Sequence, residues 1–189
     1  LIGVIHPNIL EKLMLNTLIL YSTVDGQTLA ICQKIQQRLT EQGEQVNLVN
    51  LAQVSADALA CADKVVIGAS IRYGKHRPEL FKFASQNKAI LDTKLNSFFT
   101  VNVVARKPEK NTPETNPYMV KFLDLSAWQP QLLGVFAGKI DYPRYRFFDK
   151  FMIRFIMWMT KGPTDTKGTF EFTDWDKVDD YAKKIAAQK

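Results

Sequence analysis

Residues 22–28, Ser-Thr-Val-Asp-Gly-Gln-Thr, gather three hydroxyls, a carboxylate, a carboxamide and a glycine into seven positions. They follow a short apolar run and lead straight into residues with helical spacing. Hydroxyls and backbone N–H groups at a helix N-terminus can hold a phosphate without a lysine, because the positive end of the helix dipole faces the anion. Ser22, Thr23, Gln27 and Thr28 are the expected donors, Gly26 turns the chain, and Asp25 is expected to accept backbone N–H groups within the turn. The loop has neither the Gly-Lys-Ser/Thr of a nucleoside-triphosphate loop nor the three glycines of a dinucleotide fingerprint. A plain capped turn uses the same residue types, so the loop alone leaves both readings open.

Two further stretches carry chemistry. Residues 69–77 contain Ser70, Ile71, Arg72, Tyr73, Gly74, Lys75 and Arg77; residues 101–107 contain Asn102, Val103, Val104, Ala105 and Arg106. Each follows an apolar run, so Arg72, Lys75, Arg77 and Arg106 belong at one end of a sheet and suit an anionic ligand; ordinary solvated loop charge is the alternative. Arg72 and Arg106 are the leading candidates to touch substrate or cofactor, by position only, and no residue is singled out as a catalytic base. His6 and His76 offer no metal cluster.

Residues 139–168 are a basic aromatic insert. They hold seven Lys or Arg against three Asp, which is +4 of the chain's +6, and seven of its 21 aromatics. From 146 to 161 the pattern is helical. Arg146, Lys150 and Arg154 form a narrow stripe, with Phe, Ile, Met and Trp around most of the remainder. Such a helix can lie in a bilayer interface with its cations on anionic headgroups, cover an apolar cleft, or bury in the core. Arg144, Arg146, Lys150, Arg154 and Trp158 are the expected substrate or membrane contacts.

The elements that must position these residues alternate in type. Apolar runs at 17–21, 46–51, 65–69, 98–104 and 132–137 predict five strands, the third buried on both faces. Ile31, Ile35 and Leu39 mark a helix closed by Gly43, and Pro78 opens another with Leu80, Phe81 and Ala84. Residues 169–172 continue the fifth strand or pair beside it, and Thr173 caps a last helix with Val178, Tyr181 and Ile185 on one face. This rhythm demands a doubly wound α/β parallel sheet with helices on both faces and its ligand site at the carboxyl ends of the strands.

Composition agrees. The chain's 189 residues, 46% hydrophobic and 23% charged, suit one ordinary globular domain. The longest uncharged stretch, 125–138, is 14 residues, short of the ~20 needed to span a bilayer. Cys32 and Cys61 stand alone, against a disulfide scaffold or a zinc site. Residues 1–14 carry Pro7, Glu11 and Lys12, do not read as a secretory signal, and are expected to be an extension outside the fold; a docked arm is the alternative.

The first loop resembles the flavodoxin phosphate loop, Ser/Thr-x-Thr-Gly-x-Thr, with Asp25 where that family has threonine. The second resembles the flavodoxin loop Thr-Trp-x-x-Gly, with Ile71 in place of tryptophan; the third lacks the acidic, tyrosine-containing stretch of electron carriers. The strings 20–28, 66–74, 101–110, 142–146 and 164–166 together resemble the flavodoxin-like, quinone-dependent protoporphyrinogen IX dehydrogenases of bacterial haem synthesis, over residue 15 to the C-terminus.

That resemblance implies a flavodoxin-like five-stranded sheet of order 2-1-3-4-5, with residues 15–189 as an FMN-binding domain and 139–168 as its insert. FMN would be held by Ser22, Thr23, Asp25, Gly26, Gln27, Thr28, the stretch Ser70, Ile71, Arg72, Tyr73, Gly74, and Asn102, Val103, Val104, Ala105 and Arg106. It implies removal of six electrons from protoporphyrinogen IX in three two-electron rounds, delivered to ubiquinone or menaquinone. The place would be the cytoplasmic face of the bacterial inner membrane, against an anionic membrane surface and with no nucleic acid partner; a homo-oligomer is left open. The rival readings are an NAD(P)H:quinone oxidoreductase and a flavodoxin-type electron carrier, the latter disfavoured by the basic charge.

Overall fold

Strands form where apolar and β-branched residues run together: β1 Asn16–Ser22, β2 Gln45–Asn50, β3 Lys64–Ser70, β4 Leu95–Asn102 and β5 Leu132–Ala137. All four pairings are parallel, in the order β2-β1-β3-β4-β5. The computed structural model describes residues 15–188, so the expectation for residues 1–14 lies outside it. β3 and β4 are buried almost throughout, as their unbroken apolar character requires of central strands.

Helices cover both faces. α1 (Gln27–Glu41) lies with the C-terminal helix Trp175–Ala186 on one side, where Ile31, Ile35, Leu39, Val178, Tyr181 and Ile185 pack on Ile19, Val66, Phe99 and Phe136. α2 (Ala56–Cys61), α3 (Pro78–Gln86), α4 (Lys88–Leu91) and α5 (Pro117–Leu125) belong to the other side, around Phe98, Phe122 and Trp128. Each such side chain contributes about 1.5–3 kcal/mol on burial. α2 and α5 escape a reading of apolar periodicity because they are short, yet both are capped. Ser55 Oγ accepts from Ala58 N at 3.1 Å, and Asn116 Oδ1 accepts from Tyr118 N and Met119 N, with Pro117 opening the helix.

Several boundaries differ from the sequence expectation. β4 ends at Asn102 rather than at Val104, because Asn102 Oδ1 accepts from Ala105 N at 3.0 Å and starts a 3-10 turn. Residues 169–172 do not extend β5. β7 (Thr169–Glu171) pairs antiparallel with β6 (Lys139–Asp141), making a separate two-stranded sheet at the base of the insert. The insert helix α6 spans Phe147–Met159, since Arg146 is extended and Lys161 has φ of 55°. The final helix, α7 (Trp175–Ala186), is capped by Asp174, whose Oδ1 accepts from Lys177 N at 3.0 Å. Thr173 Oγ1 instead donates to Ala137 O at 2.9 Å.

At the amino ends of the strands lies a buried ion pair that the sequence reading did not anticipate. Lys64 Nζ donates to Glu44 Oε1 at 2.9 Å and to Ile185 O at 2.7 Å, and the Thr17 hydroxyl donates to Glu44. Each charge is tolerable there only because the other is present.

Candidate functional site

At the opposite end, the turn after β1 is shaped by Gly26, which has φ of 89° at the cap position of α1. A β-carbon is strained in that left-handed conformation, so glycine is the natural occupant. Thr23 Oγ1 accepts from Gly26 N at 3.1 Å and fixes the bend. No side chain caps α1, and no acidic residue stands in its first turn. The Thr28 hydroxyl, in that first turn, is buried with no hydrogen-bond partner among the described residues. An uncapped helix N-terminus beside a buried, unpaired donor has the chemistry of an anion site, and it fits the phosphate of a nucleotide cofactor.

The other expected donors behave differently. Ser22 is buried at the end of β1 and does not line the cleft beyond. The Gln27 amide donates to Glu171 Oε1 at 3.1 Å and Thr173 Oγ1 at 2.9 Å, tying the loop to the insert's base. Asp25 takes no backbone N–H group among the described residues. Its carboxylate accepts from Arg72 Nη1 at 2.6 and 2.9 Å, 47 residues away.

Arg72 is the hub of the site. Its Nη2 also meets Asp149 Oδ2 of α6 at 3.1 Å, and its guanidinium lies 5.0 Å from the Tyr73 ring centre and 5.3 Å from that of Tyr145. Burial opposes the charge, but Asp25 and Tyr73 outweigh it and hold the Arg72 pKa above its ordinary value. The Tyr73 hydroxyl donates to Asp149, which raises the tyrosine pKa and lowers that of the carboxyl. Tyr73 and Gly74 have φ of 49° and 78° between the paired residues Arg72 and Lys75, a two-residue turn with left-handed backbone at both positions. An aromatic residue in that conformation stores about 1–3 kcal/mol of strain. The strained turn carries the tyrosine ring that bonds to α6.

Thr23, Asp25, Gln27, Thr28, Ser70, Ile71, Arg72, Tyr73, Gly74, Asn102, Val103 and Val104 line one cleft of about 830 Å³, counting its open mouth. Ala105 is buried behind it, its N–H held by Asn102. Arg106 turns away. Its guanidinium donates to Val103 O at 3.0 Å and to Thr160 O and Oγ1 at 2.8 and 3.1 Å, closing the C-terminal end of α6. Gly162 leaves room for this, since a β-carbon there would come within 2.9 Å of Arg106 Nη2. Arg106 therefore positions the insert and is withdrawn from the role of ligand contact.

The cleft also has walls outside the expected set: Tyr118 of α5, Tyr145 before α6, and Ile153, Ile156 and Met157 of α6. The last three recur at helical spacing and define α6's inner edge, a signal masked by the apolar residues around the rest of the helix. α6 is not core. Met157 is its one buried residue, whereas Phe147 and Phe148 are 80% exposed and Trp158 is 70% exposed. Arg144, Arg146, Arg154 and Trp158 face outward and Lys150 is half-buried; none lines the cleft, and none of the four cations is ion-paired among the described residues.

The comparisons agree with this geometry. The family described as "Flavodoxin domain" matches residues 18–167. "Protoporphyrinogen IX dehydrogenase [quinone]" of Escherichia coli K12 is 44% identical over 172 residues, covering 91% of this chain and 95% of that protein. A protein of the same name from Leishmania major is 43% identical, covering 90% of this chain and 74% of its own length. Oxidised flavodoxin 1 of Bacillus cereus shares the fold, with a TM-score of 0.54 at 13% identity over 92% of this chain and 99% of that one. A single parallel sheet with this order, an anion-ready first turn and an insert matched along nearly the full length of curated relatives leave one assignment: the chain belongs to the flavodoxin-domain family of quinone-linked protoporphyrinogen IX dehydrogenases.

Proposed function

We propose that this protein binds flavin mononucleotide in the cleft and oxidises protoporphyrinogen IX to protoporphyrin IX, passing the electrons to ubiquinone or menaquinone. The observation that carries the reading is the double exposure of α6. One edge (Ile153, Ile156, Met157) lines the cleft, while the rest presents aromatics and cations outward. One helix thereby joins the apolar wall of the cleft to a surface suited to the bilayer where quinones dissolve. Among the described residues no helix is long and apolar enough to cross a membrane. A peripheral position on the cytoplasmic face of the bacterial inner membrane follows from this reading.

When bound, the flavin supplies the two-electron redox chemistry. The backbone N–H groups at the start of α1 and the Thr28 hydroxyl would hold its phosphate, and residues 70–74 and 102–104 would flank its ring. Arg72 neutralises Asp25, which otherwise sets a carboxylate beside the phosphate. Ile153, Ile156 and Met157 exclude water from the cleft. Each round takes two electrons and two protons from the macrocycle and reduces one quinone to quinol; three rounds complete the oxidation.

Anaerobic assays decide the matter. Protoporphyrinogen IX with quinone should turn over, and NADH with quinone should not; rapid flavin reduction by NADH with an inert porphyrinogen would overturn the proposal in favour of an NAD(P)H:quinone oxidoreductase. A smaller effect tests Arg72. Arg72→Ala should raise the FMN dissociation constant about tenfold, the size expected of an unpaired, half-screened carboxylate near an anion. Adding Asp25→Asn should recover most of that loss, and a titration of flavin fluorescence measures both.

A further inference from the structure

A second hollow opens on the far side of the strained 72–75 turn, between α3 and α5, and the site already described makes no use of it. It is about 700 Å³ counting its open part, and Ile71, Gly74 and Tyr118 belong to both this hollow and the flavin cleft. Its walls are apolar: Ile71, Pro78, Phe81, Tyr118 and Leu125, the last 62% exposed. His76 closes the floor. It is buried, bonded through Nε2 to Thr100 Oγ1 at 3.0 Å, and set edge-on against Phe81, Phe98 and Phe122. Burial lowers its pKa to about 4, so it stays uncharged at neutral pH.

Two cations complete the lining, Lys75 from the turn and Lys121 from α5. Both are exposed, and neither ammonium is ion-paired or hydrogen-bonded among the described residues. The neighbouring carboxylate Glu79 is engaged by Arg77 at 2.8 Å. An apolar trough bearing two unengaged ammonium groups, and no competing acid in its lining, complements a flat hydrophobic body with carboxylates at its edge. A quinone carries an apolar ring but no carboxylate, so the two charges favour the other substrate.

We infer that this hollow is the porphyrinogen subsite, with the macrocycle lying against Ile71, Phe81, Tyr118 and Leu125 and its propionates read by Lys75 and Lys121. The inference rests on the proposed function and gives it a specificity-determining pair. Because Ile71, Gly74 and Tyr118 are common to both hollows, a macrocycle seated here adjoins the flavin cleft without entering the phosphate end.

The test uses the full chain loaded with FMN, comparing wild type with Lys75→Gln/Lys121→Gln. The substrates are protoporphyrinogen IX and its dimethyl ester, and binding of protoporphyrin IX is followed in parallel by fluorescence quenching. Wild type should prefer the diacid. In the double variant the KM for the diacid and the dissociation constant of protoporphyrin IX should each rise about tenfold, as loss of two exposed charge contacts implies, and the preference for acid over ester should vanish. Flavin content and the KM for quinone should hold. An acid preference that survives the double substitution overturns the subsite alone, as does a change confined to the quinone KM. A flavin-loaded wild type that neither oxidises porphyrinogen nor binds protoporphyrin overturns the proposed function, and the subsite with it.

Discussion

Thr28→Asp is expected to yield a colourless protein that takes up no FMN and melts below wild type, because the new carboxylate is buried without a cationic partner. Thr28 is fully buried in the first turn of α1, and its hydroxyl has no partner among the described residues. A carboxylate there meets the positive end of the helix dipole, which stabilises it by about 0.3–1 kcal/mol. The helix is thus satisfied from within, while a second anion in the same position is repelled. At ~4 Å and an effective dielectric near 20, two like charges cost about 4 kcal/mol, so the FMN dissociation constant should rise by at least about a thousandfold. Thr28→Val separates charge from hydrogen bonding. It should weaken FMN by about tenfold to a hundredfold, because a hydrogen bond to a charged group contributes about 1.5–3 kcal/mol. The flavin-free Thr28→Val protein should melt no lower than wild type, since the substitution removes a buried polar atom that nothing satisfies. Titration of flavin fluorescence checks the binding and calorimetry the melting. Uptake of FMN by the Thr28→Asp protein at wild-type affinity would show that no phosphate lies there.

Reversing three charges on α6, with Arg146→Glu, Lys150→Glu and Arg154→Glu together, should release the protein from anionic vesicles. Each cation near such a surface contributes about 1 kcal/mol, so simple loss of three corresponds to about a hundredfold in partitioning, and reversal to more. The difference should shrink as salt rises toward ~1 M, where the Debye length falls to ~3 Å. None of the three side chains is ion-paired among the described residues, and none lines the cleft, so flavin content reports that the fold is intact. Sedimentation with phosphatidylglycerol vesicles is the measurement. Equal sedimentation of variant and wild type would remove the membrane from the proposed function and leave α6 as a wall of the cleft alone.

Much of this arrangement was visible in residue order. β3 is apolar along most of its length because it is covered on both sides, and that signature needs no structure to recognise. The geometry of the first turn was legible because Gly26, Thr28 and the start of α1 act within one another's reach. The expected β4 overruns its true end by two residues, because Val103 and Val104 are β-branched and look like strand, and it misses Leu95–Ser97 at the start. Asn102 ends the ladder by taking the Ala105 N–H for its own side chain. The last helix was assigned to the wrong cap for a similar reason. Thr173 and Asp174 are both good caps, and the carbonyl of Ala137 claims the threonine.

The partners of charged groups were not legible. Asp25, Arg72 and Asp149 are separated by 47 and 77 positions, yet one guanidinium joins all three. Arg106 sits at the right end of the sheet for a ligand, and only the approach of Thr160, 54 residues on, shows it committed elsewhere. The sequence by itself determined the elements, their alternation, the glycine- and hydroxyl-bearing turn at the start of α1 and the basic aromatic character of the insert, because caps, turns and apolar period are settled by atoms a few residues apart. Tertiary structure alone decided which edge of α6 meets the cleft, which cations are spent on internal pairs and which stay open to a ligand. Ion pairing and burial depend on chain segments that meet only after the sheet has formed.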